Sequence, residues 1–187
     1  RDDGRPFGLP VVLKPVHEGS SVGVHICRTE GDWEKAVRAV QADIREHPSR
    51  VYMIEQAVLG GSELTVGVLD GKPLSPIEIK PSVEFYDYEA KYQRNDTQYI
   101  VGPTLPAGVG AAIQKYAKAM FDGLGARHLA RVDFLLDREG CVWLLEVNTM
   151  PGFTDHSLLP MAASKEGLPM ERLCAALVKM AQRDGRH

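Results

Sequence analysis

Apolar positions change their period several times along the chain, and each change marks an element. Val11 to Lys14 is a short apolar run closed by Pro15, and VHIC follows after the polar loop HEGSSVG, giving two strands around a loop. From Thr29 the period lengthens. Trp33, Val37, Val40 and Ile44 recur at helical spacing, Thr29 with Asp32 forms a capping-box start, and Pro48 ends the helix. VYMIEQAVLG and ELTVGVLDG read as strands joined at Gly60–Gly61, and PLSPIEIKP as another. FYDYEAKYQRNDTQYIVGP shows neither helical nor strand periodicity and is long for a plain connection. Gly108 to Leu124 is a second amphipathic helix with Ile113, Ala117, Met120, Phe121 and Leu124 on its apolar stripe, stopped by Gly125. FTDHSLLP turns into a helix. PMERLCAALVKMAQRDG is a further helix, opened by Pro169, with Leu173, Ala176, Leu177 and Met180 facing a core.

RVDFLLDREGCVWLLEVNTMPG, residues 131–152, is the stretch around which the rest is organised. Two apolar, β-branched runs flank the polar turn DREG, so the unit reads as a β-hairpin. With 137–140 as the loop, Leu136 opposes Cys141, and Arg131, Asp133, Glu146 and Asn148 fall on one face. Two carboxylates and an amide supply the hard oxygen ligands that Mg²⁺ prefers, and an adjacent Arg suits phosphate oxygens. A solvated face with an incidental ion pair is the alternative. The abrupt Asn-Thr, Pro-Gly ending beside the carboxylates weighs against it.

Composition narrows the classes. Apolar content of 44%, 25% charged residues and a net charge of −3 describe an ordinary globular chain and give no footprint for nucleic acid. No apolar run reaches membrane-spanning length, and no signal-peptide pattern is present. Cys27, Cys141 and Cys174 are widely spaced without a CxxC pair, which predicts reduced, mostly buried thiols in a cytoplasmic protein. RDDGRPFGLP runs directly into a strand, as in the middle of a longer protein. Each candidate segment keeps two readings at this point. The glycine-serine loop after Lys14 is a phosphate cradle or a flexible turn. Glu55 and Glu63 are ligand-facing acids or edge charges. The aromatic run with Lys91 is a lid over a site or a packed surface loop. Ser157 is a carboxylate-binding hydroxyl or an ordinary helix cap.

RVDFLLD together with LLEVNTMPGFTDHSLLP closely resembles the C-terminal signature of D-alanine–D-alanine ligases, in the ATP-grasp superfamily. VVLKP followed by EGSSVG resembles their phosphate loop, and YDYEAKY their mobile lid. The resemblance runs from Pro10 into the last helix and covers only the later part of a full-length ligase. It implies an α/β ATP-grasp fold with nucleotide held between two largely antiparallel sheets and flanking helices. Residues 1–56 would be part of the central subdomain and 57–187 the C-terminal one, with the N-terminal substrate domain absent. Such a fragment is expected to bind adenine nucleotide weakly and to form no dipeptide.

By the same resemblance Lys14 would touch the α- and β-phosphates and Lys91 the γ-phosphate. Glu55 and the backbone of Gln56, Ala57 and Val58 would meet adenine. Glu63 would meet the ribose, across a connector one residue longer than the commonest family spacing. Asp133, Glu146 and Asn148 would hold two Mg²⁺ ions, with Mn²⁺ as a substitute. Arg131 and the Gly152 N–H would stabilise an oxyanion, Ser20 and Tyr92 would close the site, and Ser157 with Leu158 would take the carboxylate of the second D-alanine. Tyr92 would also favour D-alanine over D-lactate. No general base stands out, since His17 and His156 are the only histidines near these loops.

The implied activity is ATP- and Mg²⁺-dependent joining of two D-alanines through an acylphosphate, supplying the dipeptide for peptidoglycan in the cytoplasm. The implied partners are D-alanine and ATP, neither nucleic acid nor membrane, with the full-length parent a homodimer. Two other readings are a non-catalytic nucleotide-binding module and another ATP-grasp carboxylate–amine ligase. Lys91 kept together with Asn148 weighs against the first, and YDYEAKY with HSLLP against the second.

Overall fold

Alternate burial along Val11–Pro15 makes this segment (β1) the centre of a small antiparallel sheet. His25–Cys27 (β2) pairs on one side of it and Tyr52–Gln56 (β3) on the other. The computed structural model describes residues 4–19, 21–80 and 97–185. This sheet and the helix Glu30–Glu46 (α1) form a first compact unit, Arg1–Leu59. The capping box at the start of α1 is present: Thr29 Oγ1 accepts from Asp32 N at 3.2 Å, and Asp32 Oδ2 accepts from Thr29 N at 2.9 Å. Trp33, Ala36 and Val40 pack on Val11, Leu13 and Cys27, with Val37 at the margin. Ile44, expected on this stripe, is 38% exposed. A 17-residue helix is about 25 Å long, against roughly 17 Å for five-residue strands, so its last turn outruns the sheet.

The second unit, Gly60–His187, is built on a larger antiparallel sheet. Its strands are Ser62–Leu69 (β4), Lys72–Pro73 (β5), Ile77–Lys80 (β6), Gln98–Val101 (β7), Leu129–Leu136 (β8) and Val142–Asn148 (β9), in the order β7-β6-β4-β8-β9, with β5 on β4. Helix Val109–Gly123 (α2) covers one face, setting Val109, Ile113, Ala117 and Phe121 on Leu64, Val66, Val68, Ala130, Val132 and Phe134. Among the described residues of this unit, helices cover the other face at one end only. There Leu158–Lys165 (α3) and Met170–Asp184 (α4) pack Leu159, Ala162, Ala163 and Leu173 on Leu69, Leu74 and Ile77. Gly67 admits α3: a Cβ on it would stand 3.1 Å from Leu159 Cγ. Mixed α/β architecture with antiparallel sheets agrees with the expected fold class.

Three expectations need correction. Leu124 is the C-cap residue just after α2 and is 58% exposed, so it is not part of the buried stripe. Gln98–Val101, read as aperiodic, is an edge strand paired only with β6 among the described residues; its exposed and half-buried side chains leave no alternation to detect. Cys27 is buried, but Cys141, in the hairpin turn, and Cys174, on the outer side of α4, are exposed.

Gly61 marks the tightest backbone contact in the second unit. A Cβ there would lie 1.8 Å from the Leu136 carbonyl oxygen, where β4 and β8 begin to pair. Gly61→Ala is therefore expected to destabilise the protein by about 1–3 kcal/mol, read as a lower urea midpoint. Gly110→Ala, in α2, where the added carbon would meet only Leu105 Cδ1 at an ordinary contact distance of 3.9 Å, is expected to stabilise by about 0.5–1 kcal/mol.

Candidate functional site

The hairpin β8–β9 forms the site on the face that α3 leaves uncovered. Its turn is one residue longer than the spacing suggests. Asp137 N donates to Cys141 O at 3.0 Å, while the Asp137 carboxylate accepts from Cys141 N at 2.7 Å and from Trp143 Nε1 at 2.8 Å. Leu136 consequently opposes Val142, not Cys141. Strict alternation from that register would turn Glu146 and Asn148 to the α2 side with Val142 and Leu144. A β-bulge prevents this. Phe134 pairs with Leu144 but Asp133 pairs with Glu146, so Leu145 is the extra residue and the faces swap. Beyond it Arg131 opposes Asn148, and all four polar side chains share one face.

Asp133 is 5% exposed and Thr65, its partner across β4, 1% exposed; they are the buried polar residues among those described. Thr65 Oγ1 donates to Asp133 Oδ1 at 2.5 Å. Arg131 donates from Nε to Oδ1 at 2.9 Å and from Nη2 to Oδ2 at 2.7 Å. Removing a carboxylate from water costs several kcal/mol, and hydrogen bonds to a charged group return about 1.5–3 kcal/mol each. All three donors are needed to offset the burial. The Asp133 hydrogen bonds raise the Arg131 pKa; burial opposes this, and the charges of Glu146 and Glu63 add to it. Glu146 has a 57% exposed side chain with Oε1 3.8 Å from Arg131 Nη2. Glu63 lies on β4, paired with Leu135. Asn148 Oδ1 accepts from Met150 N at 3.0 Å.

Among the described residues no group of three or more His, Cys, Asp or Glu is close enough together to hold a metal. The candidate set is instead two carboxylates and one amide oxygen. That donor chemistry fits Mg²⁺, which takes few protein oxygens and keeps several waters. Past β9, a Cβ on Gly152 would stand 3.1 Å from Ser157 Oγ, so glycine is what lets that hydroxyl approach. Ser157 is the N-cap residue of α3, yet its side chain makes no capping bond and accepts from Thr154 N at 3.0 Å instead. Thr154, absent from the sequence reading, holds this hydroxyl. Leu158 packs into the core beneath α3.

In the first unit, Lys14 Nζ on β1 is 2.7 Å from Glu55 Oε2 on β3. Gln56 ends β3, Ala57 N donates to Pro10 O at 3.1 Å, and Val58 follows. The loop after β1 is tied down by a network that spacing did not reveal. Arg50 reaches Glu18 Oε1 at 2.9 Å and Asp43 Oδ1 at 2.5 Å, and Tyr52 OH donates to Asp43 Oδ2 at 2.9 Å. Ser20, Lys91 and Tyr92 lie outside the described residues.

Residues 4–179 match the family model described as D-ala D-ala ligase C-terminus. A D-alanine–D-alanine ligase of Dechloromonas aromatica (strain RCB) is 42% identical over 178 residues, which is 95% of this chain and 57% of that protein. One from Acinetobacter baumannii (strain AYE) is 43% identical over 179 residues, 92% of this chain and 54% of that protein. Among solved structures, the Bacillus anthracis D-alanine–D-alanine ligase superposes with a TM-score of 0.76 at 35% identity, over 94% of this chain and 55% of its own. The same enzyme complexed with ATP gives 0.75 at 30% identity, over 97% and 55%. The fold is thus of the ATP-grasp class. More narrowly, the chain belongs to the D-alanine–D-alanine ligase C-terminal family, and it spans little more than half the length of these relatives.

The Arg50 network predicts an acid response. Burial alone would push the Asp43 carboxyl up; the Tyr52 hydrogen bond and the Arg50 charge outweigh it and hold it below the usual range. A carboxylate depressed in the folded state contributes stability above its unfolded pKa of about 3.9, lost as pH falls through the folded value. Arg50→Ala should therefore flatten the loss of urea midpoint between about pH 6 and about pH 3. An equal loss in both proteins would contradict the assignment.

Proposed function

We propose that the chain is the nucleotide- and metal-binding part of a ligase that uses ATP to join two D-alanine molecules through an acylphosphate. The observation that carries this is the bulged hairpin, which turns Arg131, Asp133, Glu146 and Asn148 to one face around a buried threonine. Membership of the ligase family and the ATP complex of the Bacillus anthracis relative support it. Residues 1–56 belong to the central subdomain and 57–187 to the C-terminal one. The intact protein works in the cytoplasm, as a homodimer, supplying peptidoglycan synthesis.

The roles are those that the family resemblance implies. Lys14, already beside an acid in Glu55, exchanges that partner for phosphate oxygens; Lys91 serves the terminal phosphate. Glu55 and the backbone of Gln56 to Val58 take adenine, and Glu63 the ribose hydroxyls. Asp133, Glu146 and Asn148 hold Mg²⁺, which when bound neutralises polyphosphate charge and draws electrons from the transferring group. Arg131 keeps its charge at any working pH, so with the Gly152 N–H it stabilises the oxyanion formed as the second amine attacks. Ser157, freed from capping, presents its hydroxyl with Leu158 to the acceptor carboxylate. Ser20 and Tyr92 close the site, and Tyr92 sets the preference for D-alanine over D-lactate.

D-alanine-dependent phosphate release from ATP by the intact protein tests the reading. Glu146→Gln removes a charge at constant shape and should lower that rate by about 10²-fold. Release driven by a different carboxylate would instead support another ATP-grasp ligase, and nucleotide binding without release a non-catalytic module.

A further inference from the structure

Thr65 has no role in the chemistry above, yet it is the most deeply buried polar side chain described, set directly opposite Asp133. Its neighbours along β4, Leu64 and Val66, point into the apolar layer under α2, so Thr65 alone turns a hydroxyl to the carboxylate. The lone pairs of Asp133 can be assigned one by one. Oδ1 accepts from Thr65 Oγ1 at 2.5 Å and from Arg131 Nε at 2.9 Å, which fills both. Oδ2 accepts from Arg131 Nη2 at 2.7 Å, with Nε of the same guanidinium farther off at 3.2 Å. The single Nε hydrogen is shared unevenly and lies nearer Oδ1, so Oδ2 is the less engaged oxygen, the one better able to take a further partner.

Taking the proposed metal site as given, we infer that Thr65 is a positioning residue that commits Asp133 Oδ1 to the protein and leaves Oδ2 as a one-atom ligand. That restriction is a selectivity device. Mg²⁺ demands near-octahedral geometry and suits single-oxygen carboxylate ligands, whereas Ca²⁺ accepts bidentate carboxylates and higher coordination. A carboxylate pinned at one oxygen cannot chelate with two. Arg131 does not by itself single out one oxygen, because its fork engages both.

The test uses the intact protein with a non-hydrolysable ATP analogue. Mn²⁺ binding is followed by electron paramagnetic resonance, with Mg²⁺ and Ca²⁺ as competitors. Thr65→Val, close to isosteric, should weaken Mn²⁺ about 10- to 100-fold and raise the ability of Ca²⁺ to displace it relative to Mg²⁺. Thr65→Ser should restore both, and Thr65→Cys, with a weak S–H donor, should fall between. This graded order also holds the test together if Thr65→Val fails to fold. Asp133→Asn separates the two claims. If it leaves Mn²⁺ binding intact, the metal site itself falls. If it abolishes binding while the Thr65 series keeps the unaltered affinity and Ca²⁺/Mg²⁺ ratio, the role of Thr65 is overturned.

Discussion

Asp133 places a carboxyl group at the middle of a sheet whose opposite face is an apolar layer, with Phe134 and Val132 fully buried on either side of it in sequence. Such a carboxylate persists only if donors surround it, and here they come from two strands. Thr65 comes across from β4, and Arg131 from two positions earlier on β8. The β4–β8 register, which pairs Thr65 with Asp133, is thus the constraint from which the site geometry follows. The same register places Gly67 opposite Arg131, and Gly67 is where Leu159 of α3 seats. The boundary between the covered and uncovered parts of the face falls within two residues of β4.

The uncovered part is then populated by β9. An unbroken β9 would send Glu146 and Asn148 toward α2, where a charge beside Phe134 and Val142 would go unpaired. The bulge at Leu145 turns them to Arg131 instead. Side-chain burial agrees with the division of labour: Asp133 is buried and fixed, whereas Glu146 is mostly exposed. On the proposed reading, a rigid ligand beside an adjustable one would suit an ion whose partners change as a phosphoryl group moves.

Much of this was legible in the sequence, for identifiable reasons. Helical stripes and the Thr29–Asp32 capping box announced themselves because their period and chemistry are local. The hairpin and the identity of its four polar residues were legible as well. Its register was not: the turn was read one residue too short, and the bulge restored the facing that strict alternation from the true register would have reversed. Two shifts of one residue left the reading of the face intact. Thr65 escaped notice because a threonine in a strand is ordinary until its partner across the sheet is known. Arg50 escaped because its partners, Glu18 and Asp43, are joined to it only by tertiary contact. Family resemblance supplied the expected roles of Ser157 and Gly152, where pattern alone left Ser157 open between a carboxylate-binding hydroxyl and a helix cap. The absence of a capping bond at Ser157 is compatible with the former.

The central claim is that a bulged hairpin and one buried threonine shape a site for metal-bound nucleotide. A crystal structure of the intact protein with Mg²⁺ and a non-hydrolysable ATP analogue tests it most directly. The account predicts metal density contacting Asp133 through Oδ2 alone, together with Glu146 and Asn148, and Thr65 still bonded to Oδ1. Nucleotide bound with no ion on these residues, or Asp133 chelating through both oxygens, would contradict it.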